Sequence, residues 1–413
     1  MDNQNKYSSL YKVSFTLIIE GEETINIPTS DIVSISIINN YDTMTYPIIR
    51  VRLYSDISLI QKISEHVDKL HLRGNLDGGI YQMNSDDKSP TLVSPIKSIP
   101  LHMKIFIESK NIPTSYMDQY ENGKKKNDDL NTNIRVPIEF YCYDEKLIHL
   151  MKQKVQSVYK NMSIISILND ILVRGGIVDY TIDPLQNNNK YEQVLIPNLN
   201  ITQSLAFFDN RYGLYNKGAQ LYGDIDKLYL CDTDINNGTV PIPIYVDSYK
   251  SNDDMIGMKK INNKYFMSTL AQNVSVMSET DIERVLNSEN ITNINIKDLK
   301  INTNKMKKLY LKKSKQLNEK IVTPDILHKT HNPFISETYI SRVNERMTCI
   351  DLSCSCIDIS KLKINTRYNL IFESPLRGAS MNEYYRAAYI CNVLTCMDNN
   401  LFTAQTTMKL CSN

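Results

Sequence analysis

The sequence predicts an α+β, mainly β fold, with two antiparallel β-barrel domains, a small α/β module between them and an insertion before the second barrel. Both ends of the chain are filled by short apolar runs, many of them alternating with polar residues, as in antiparallel strands. Between these ends, apolar residues recur at helical spacing in two segments. The change of period therefore separates a central module from the β-rich ends.

Residues 1–145 form the predicted first barrel. Its predicted strands are 11–20, 24–28, 31–38, 48–54, 101–108 and 135–143. In 48–54, Arg50 and Arg52 alternate with apolar residues, so we expect one face of this strand to meet solvent. Gly, Asp, Ser and Asn are concentrated at about 74–94, and polar residues at about 110–133, so both segments are interpreted as loop insertions.

A small α/β module is predicted at 146–235. Its first long helix begins after Ser163, whose hydroxyl can accept a hydrogen bond from a free N–H of the first turn. The apolar face of this helix consists of Ile164, Ile167, Leu168, Ile171 and Leu172. Gly175 and Gly176 end it, since glycine closes helices at low conformational cost.

The second long helix of the module has the most complete set of end signals. Asn200 can cap it, and Gln203 lies three residues later, where a capping box requires it. Its apolar stripe consists of Ile201, Leu205, Phe208 and Tyr212. Gly213 can take the left-handed conformation that closes the helix, and a hairpin is predicted at 220–230. These residues predict packing rather than chemistry.

The predicted second barrel covers 341–413 and follows an insertion or connecting region at 236–340. The strands predicted in the second barrel are 348–357, 367–372, 385–395 and 402–410. In the connecting region, lysines surround Leu309 and Leu311 within 302–320. A solvated face is the plainer interpretation of this basic segment, and contact with an acidic partner is the alternative.

Composition narrows the possible classes of function. With 47 Lys and Arg against 46 Asp and Glu, the formal charge is +1, so no overall field favours nucleic acid or an anionic membrane. No apolar run approaches the ~18 residues that span a bilayer. The polar N-terminus predicts no secretory signal. The 8 cysteines form no C-x-x-C pair, and we expect reduced, buried thiols.

No motif in the sequence predicts catalysis or ligand binding. His328 and His331 have a spacing that can bind one metal, but no third ligand lies nearby. The segment from Asp232 to Gly238 begins like a calcium loop, yet its Gly comes one position late and Pro243 stands where the bidentate Glu is needed. We therefore predict that the protein is not an enzyme, with no catalytic, cofactor-binding or metal residue and no cofactor. A Cys–His dyad or a carboxylate pair assembled from distant residues stays open.

Two stretches of the chain share a motif order with a known family. Leu205, Phe207, Tyr212 and Gly213 match, in outline, the pattern L-x-F/Y-L-x-x-x-Y-G in the middle domain of central baseplate hub proteins. Residues 389–394 and 402–408 match the last strands of that family's terminal barrel in outline. The sequence thus resembles the hub proteins of contractile phage tails, a family that includes the VgrG hubs of type VI secretion systems. The resemblance is best over 162–231 and 342–410.

The resemblance implies an adaptor. Members of the hub family are homotrimers in which two tail-tube-like barrels per chain form a pseudo-sixfold ring. One end of that ring meets the sixfold tail tube and the other supports the threefold central spike. The implied partners are two further copies of the chain, the tail tube protein, the central spike protein and other baseplate proteins, with the tape measure protein as a further candidate. The resemblance implies no specific nucleic acid and no stable membrane insertion.

The implied location is the tail baseplate of a virion, assembled in the cytoplasm of the bacterial host. Within the same machinery, a VgrG-type secretion hub or a phage-derived bacteriocin hub is the alternative. Because no spike or effector segment follows Asn413, we expect a separate spike protein, as in phages. Alternatives of other classes are a phage-associated cell-wall hydrolase and a nucleic-acid-handling protein that uses the lysines of 305–320.

Overall fold

The protein is mainly β, with four α-helices inside the part of the chain that a computed structural model describes. The described ranges are 6–22, 24–40, 46–83, 90–106, 135–216, 218–224, 227–233, 240–247, 258–261, 264–276, 292–295, 300–303, 319–322, 332–334, 348–355, 357–364, 366–372, 384–397 and 400–412. The four helices are α1 (Ile57–Glu65), α2 (Glu145–Lys152), α3 (Ile164–Arg174) and α4 (Ile201–Tyr212).

The strands fall into one large sheet and three small ones. Those of the N-terminal part are β1 (Lys6–Ile19), β2 (Thr24–Ile27), β3 (Ile32–Asn40), β4 (Ile48–Asp56), β5 (Leu70–Met83), β6 (Thr91–Pro95), β7 (Ile99–Phe106) and β8 (Arg135–Asp144). Those of the centre are β9 (Lys154–Ser163), β10 (Tyr180–Ile182), β11 (Lys190–Asn200), β12 (Ala219–Gly223) and β13 (Leu228–Asp232). The remainder are β14 (Ile242–Asp247), β15 (Met258–Ile261), β16 (Lys264–Val276), β17 (Thr292–Asn295), β18 (Lys300–Thr303), β19 (Glu319–Val322), β20 (Thr348–Ser355), β21 (Arg367–Phe372), β22 (Tyr384–Cys396) and β23 (Phe402–Ser412).

A first ring of strands closes through both ends of the chain. Its antiparallel order is β1-β5-β7-β8-β4-β3-β22-β23, and β23 pairs back onto β1 at Leu10↔Thr403 and Tyr11↔Phe402. Because side chains alternate between the two faces of each strand, the apolar residues of one face fill the interior of this ring. On β4, for example, Ile49, Val51 and Leu53 are buried while their neighbours Arg50 and Arg52 are exposed, as the sequence predicts.

A second ring of strands has the order β23-β20-β16-β14-β21-β22, closed by the β22–β23 pair. The prediction that this barrel is wholly antiparallel is wrong at β14, which is parallel to both β16 and β21. Parallel neighbours need a long connection between strands. Here β14 precedes β21 by more than a hundred residues, so the chain has room to return in the same direction.

The two rings share the hairpin of β22 and β23. One half of this hairpin contributes Leu394 and Ala404 to the first core, and the other half contributes Ile390 and Met408 to the second. Sequence alone predicts two barrels separated along the chain. The structure instead fuses them, because one long hairpin has paired edges and inward-facing residues for both.

The small module lies between β8 and β14 in the chain order. It contains α2, α3 and α4, the two-stranded sheet β9–β11 and the three-stranded sheet β10-β13-β12. Its core is formed by the apolar faces that the sequence predicts for α3 and α4, together with the inward residues of β9, β11 and β13. The hydroxyl of Ser163 accepts from Ser166 N, which confirms the predicted cap of α3.

The prediction of a loop insertion at about 74–94 is wrong for most of its length, because β5 runs to Met83 and β6 covers Thr91–Pro95. The glycines that suggested a loop mark close contacts within the sheet. A Cβ on Gly74 would collide with the Ser14 carbonyl and the Phe15 ring, and a Cβ on Gly79 with Leu92. The predicted loop at 110–133 lies outside the described residues.

The region 236–340, predicted as an insertion or connection, supplies two strands of the second ring. These are β14 and β16, and Ile244 and Val246 of β14 are buried in the second core. The predicted domain boundaries themselves stay a prediction. Most of the basic segment 302–320 lies outside the described residues.

The sequence also predicts reduced cysteines and no segment that spans a membrane. Five cysteines have described side chains and none of the five forms a disulfide; Cys142, Cys231 and Cys354 are buried, and Cys391 and Cys396 are half-buried. In the described ranges, no helix combines the length and apolarity needed to cross a membrane.

Candidate functional site

The helix α4 has both of its predicted end signals. The Asn200 side chain accepts from Gln203 N at 2.8 Å, and the Gln203 side chain accepts from Asn200 N at 3.2 Å, which completes the capping box. At the other end, Gly213 has a φ of +67° and donates its N–H to the Asp209 carbonyl at 2.9 Å. The sequence therefore predicts the bounds of this helix correctly.

The apolar stripe of α4 forms the centre of the module. Leu205, Phe208 and Tyr212 are 2%, 0% and 5% exposed, and the rings of Phe208 and Tyr212 lie 5.4 Å apart. Phe207, which the family motif also includes, is half-buried against the same core. All four motif positions thus serve packing and the helix end, which agrees with their interpretation as scaffold.

Asp209 fixes the segment that follows the helix. Its carboxylate accepts from Leu214 N at 3.3 Å and from Ala219 N at 3.1 Å, which positions the start of β12. Asn187 adds a second restraint, since its side-chain N–H donates to the Tyr212 carbonyl at 2.7 Å. The hairpin of β12 and β13 is therefore held by buried polar contacts to α4.

The β12–β13 hairpin joins the module to the second ring. Tyr222 and Cys231 pack in the second core, and the ring of Tyr222 stacks on Tyr229 at 4.9 Å. Lys363, from the segment before β21, contacts the Tyr229 hydroxyl at 2.7 Å and the Asp224 carboxylate at 3.2 Å. Aromatic packing and a half-buried ion pair thus couple these two units.

His71 joins the module to the first ring. Its Nδ1 lies 2.5 Å from the Glu145 carboxylate of α2, and its Nε2 lies 2.6 Å from the Glu20 carboxylate at the end of β1. Both nitrogens can donate at once only when the imidazole is protonated. The hydrogen bond from His71, supported by its charge and those of Lys104 and Lys69, holds the pKa of Glu20 below its ordinary value.

A cleft of about 250 Å³ opens where the two rings and the module meet, and we call it the junction cleft. Its floor is formed by Asn39 of β3 and Asn392 of β22, which are 8% and 3% exposed. Ile37, Ile99, Pro100, Ile359 and Leu362 supply its apolar walls, and its charged groups are Lys97, His102, Asp144, Lys146, Asp224 and Lys363. Burial raises the pKa of Asp144, against the opposing hydrogen bond from Lys146 N.

The junction cleft was not predicted from the sequence. Asn39 follows the buried residues Ile35 and Ile37 at strand spacing, and Asn392 lies between the buried residues Ile390 and Leu394 in the same way. A polar amide at an inward position of an alternating strand was therefore the signal that could have identified the floor.

Among the described residues, no group of three or more His, Cys, Asp or Glu side chains could hold a metal ion. His328, His331 and most of the acidic turn after Asp232 lie outside the described ranges. Cys142 is fully buried, and burial raises the pKa of its thiol, so its thiolate is not available as a nucleophile.

Solved structures similar to this chain include two tail proteins. The tail protein from Neisseria meningitidis MC58 has 8% identity and a TM-score of 0.47, with 97% of each chain covered. The 43 kDa tail protein of prophage MuSo2 from Shewanella oneidensis has 9% identity and a TM-score of 0.45, with 96% of each chain covered.

A third similar structure is an E. coli component of the type VI secretion system, described as structurally similar to two T4 bacteriophage tail proteins. It has 9% identity and a TM-score of 0.43, and the match covers 96% of this chain and 76% of that chain. No curated protein matches the sequence. The family model described as "Bacteriophage PBS1 gene 109 protein" matches residues 2–410.

Proposed function

Because this chain belongs to the bacteriophage PBS1 gene 109 protein family, we propose that it is a structural hub in the baseplate of a contractile phage tail. In this role it joins the sixfold tail tube to the threefold central spike and catalyses no reaction. It acts in the virion, and it assembles with its partners in the cytoplasm of the bacterial host. Family membership identifies a bacteriophage protein, and our proposal adds its position within the tail.

The observation that carries the proposal is the fusion of two strand rings through one hairpin. An adaptor between sixfold and threefold symmetry needs two tube-like units per chain, so that three chains present six. The two rings supply these units, and β22 and β23 hold them at a fixed spacing because both rings use their residues. A hinge between separate barrels would not fix that spacing.

The contacts of the module fit the same role. His71 with Glu20 and Glu145 joins it to the first ring, and Tyr222 with Cys231 joins it to the second. Three units that are mutually fixed can transmit force between a tube and a spike with little deformation, since packed interiors have low compressibility. The VgrG-type secretion hub and the bacteriocin hub share this logic and stay as alternatives.

The mass of the protein in solution tests the proposal. We expect a homotrimer of the 47.6 kDa chain by multi-angle light scattering. Mixing it with the tail tube protein and the spike protein of the same phage should give a complex that contains both. A firmly monomeric chain that binds neither protein would overturn the hub.

Two further measurements distinguish the hub from a cell-wall hydrolase and from a nucleic-acid-handling protein. Clearing of peptidoglycan by the pure protein would replace the hub with a cell-wall hydrolase. Salt-sensitive binding of DNA that is lost on neutralising Lys312 and Lys313 would favour a nucleic-acid-handling protein, because phosphate contacts weaken as salt rises. We expect neither result.

A further inference from the structure

The floor of the junction cleft contains two buried side-chain amides side by side. In the register of β3 and β22, Asn39 lies opposite Ile390 and Asn392 lies opposite Ile37. The two asparagines are therefore diagonal neighbours on one face of the sheet, and both line the cleft. Their amides form a small polar surface between the apolar cores of the two rings.

These two amides make few hydrogen bonds to the protein itself. Among the described residues, the Asn39 side chain has no hydrogen-bond partner, and the Asn392 side chain has one, the Thr406 hydroxyl that donates to its Oδ1 at 2.7 Å. Buried polar groups in native proteins ordinarily bond to protein, water or ligand. Here the unused donors and acceptors border a cleft, so a ligand can reach them.

The chemistry of the cleft favours an uncharged ligand that carries both donors and acceptors. Side-chain amides offer both, as a peptide backbone does. The nearby charges include both signs, and Lys363 is already paired with Asp224 at 3.2 Å. Ile99 and Leu362 add apolar walls against which a side chain can pack.

We propose that the junction cleft binds a short extended segment of a partner protein. The backbone N–H and C=O groups of the segment pair with the amides of Asn39 and Asn392, and an apolar side chain packs against Ile99 and Leu362. The volume of about 250 Å³ suits a stretch of a few residues and not a folded domain. The site depends on groups of one chain, so its test is independent of the trimer.

Methyl NMR on the full-length chain labelled at the isoleucine δ1 positions tests the site. The probe is N-acetyl-Ala-Ala-Ala-amide, which presents backbone groups without charge. Ile37, Ile99 and Ile359 line the cleft and are the reporters, while Ile167 and Ile171 in the module core are the controls. We expect saturable shifts of the reporters alone. Absence of shifts up to the solubility limit of the probe would overturn the proposal.

Variants distinguish a binding role from a structural one. Asn39→Leu should abolish the reporter shifts without lowering Tm, because an apolar side chain of similar size replaces an amide that bonds to no described protein group. The matched control is Asn187→Leu, since Asn187 is also a buried asparagine but donates to the Tyr212 carbonyl, so this variant should lower Tm and keep the shifts. Asn39→Ala removes the amide without adding volume and should also abolish the shifts.

Two outcomes would contradict the assignment. If Asn39→Leu lowers Tm and retains the shifts, the amide is structural and the cleft holds no peptide. If sodium acetate alone produces the same reporter shifts and Lys97→Ala removes them, the cleft is a carboxylate site and the assignment of a peptide backbone is wrong.

Discussion

The hydroxyl of Tyr11 accepts a hydrogen bond from the backbone N–H of Ile359 at 2.9 Å, across 348 positions of the chain. It also donates to the Ile357 carbonyl at 3.3 Å and accepts from the Ser9 hydroxyl at 3.2 Å. Burial, with the nearby charge of Asp358, raises the pKa of Tyr11, so the hydroxyl stays a neutral donor. One side chain of β1 therefore holds the segment that follows β20.

Replacing Tyr11 with Phe should lower the free energy of unfolding by about 1–3 kcal/mol, because the buried Ile359 N–H and Ile357 carbonyl lose their partner. Urea denaturation followed by circular dichroism measures the change. The control is Tyr54→Phe, which removes the hydroxyl of a residue that is 45% exposed and should change stability by less than about 0.5 kcal/mol. Equal effects would mean that the Tyr11 bonds contribute nothing measurable.

Truncation of Phe208 tests the core of the module. Phe208→Ala should cost about 3–5 kcal/mol, since a fully buried ring leaves a cavity between α4 and its neighbours. Phe207→Ala is the matched control on the same helix and should cost less, because Phe207 is only half-buried. A loss below about 1 kcal/mol for Phe208→Ala would show that this face of α4 is not core.

Gly176 and Gly213 both have positive φ, but only Gly213 has a close neighbour at the position of a Cβ. Comparing their alanine variants therefore distinguishes backbone strain from steric overlap. Gly176 has a φ of +75° with no atom within 4 Å of an added Cβ, so Gly176→Ala should cost only about 1–2 kcal/mol of strain. Gly213 has a φ of +67°, and a Cβ there would meet the Asn332 side chain. Gly213→Ala should therefore destabilise the protein more in thermal denaturation. Equal losses would show that Asn332 moves aside without cost.

Asp144 should make stability depend on pH. Desolvation raises the pKa of this carboxyl, so the folded chain holds the proton more tightly than the unfolded chain does. Stability contributed by the protonated form is present at low pH and is lost as pH rises from about 4, the ordinary Asp value, through the folded value. Asp144→Asn removes the charge and keeps the oxygen that accepts from Lys146 N at 2.7 Å.

The measurement is the difference in free energy of unfolding between Asp144→Asn and the parent chain, taken between pH 4 and pH 7. We expect the variant to gain stability relative to the parent as pH rises. A difference that is constant over this range would mean that the carboxyl is not destabilised by burial.

Local signals were enough to predict the elements whose ends depend on neighbouring residues. Asn200, Gln203 and Gly213 determine the bounds of α4 through contacts within a few residues, so the sequence predicts them correctly. Strand β4 is predicted equally well, because its alternation reflects a single buried face. The apolar stripe with Phe208 was predicted from the 3.6-residue period of a helix.

The features that depend on distant residues were not predictable. Gly74 and Gly79 resemble loop glycines in the sequence, and only the neighbouring strands show that they permit close packing. The parallel placement of β14 depends on its pairing with β16 and with β21, and β21 follows it by more than a hundred residues along the chain. The junction cleft needs Asn39 and Asn392 to be neighbours, although more than three hundred residues separate them.

The shared hairpin also constrains how this protein reaches its folded state on the ribosome. The first ring cannot close until β22 and β23 are synthesised, although β1, β3 and β5 are made hundreds of residues earlier. Contacts of such sequence separation make folding slow, and the waiting strands have unpaired edges that invite aggregation. A chain released before residue 384 would lack β22, one of the two partners of β3, and the 402–403 partner of β1, and so could not close the first ring. Closure of the first ring therefore requires synthesis of the chain through β23.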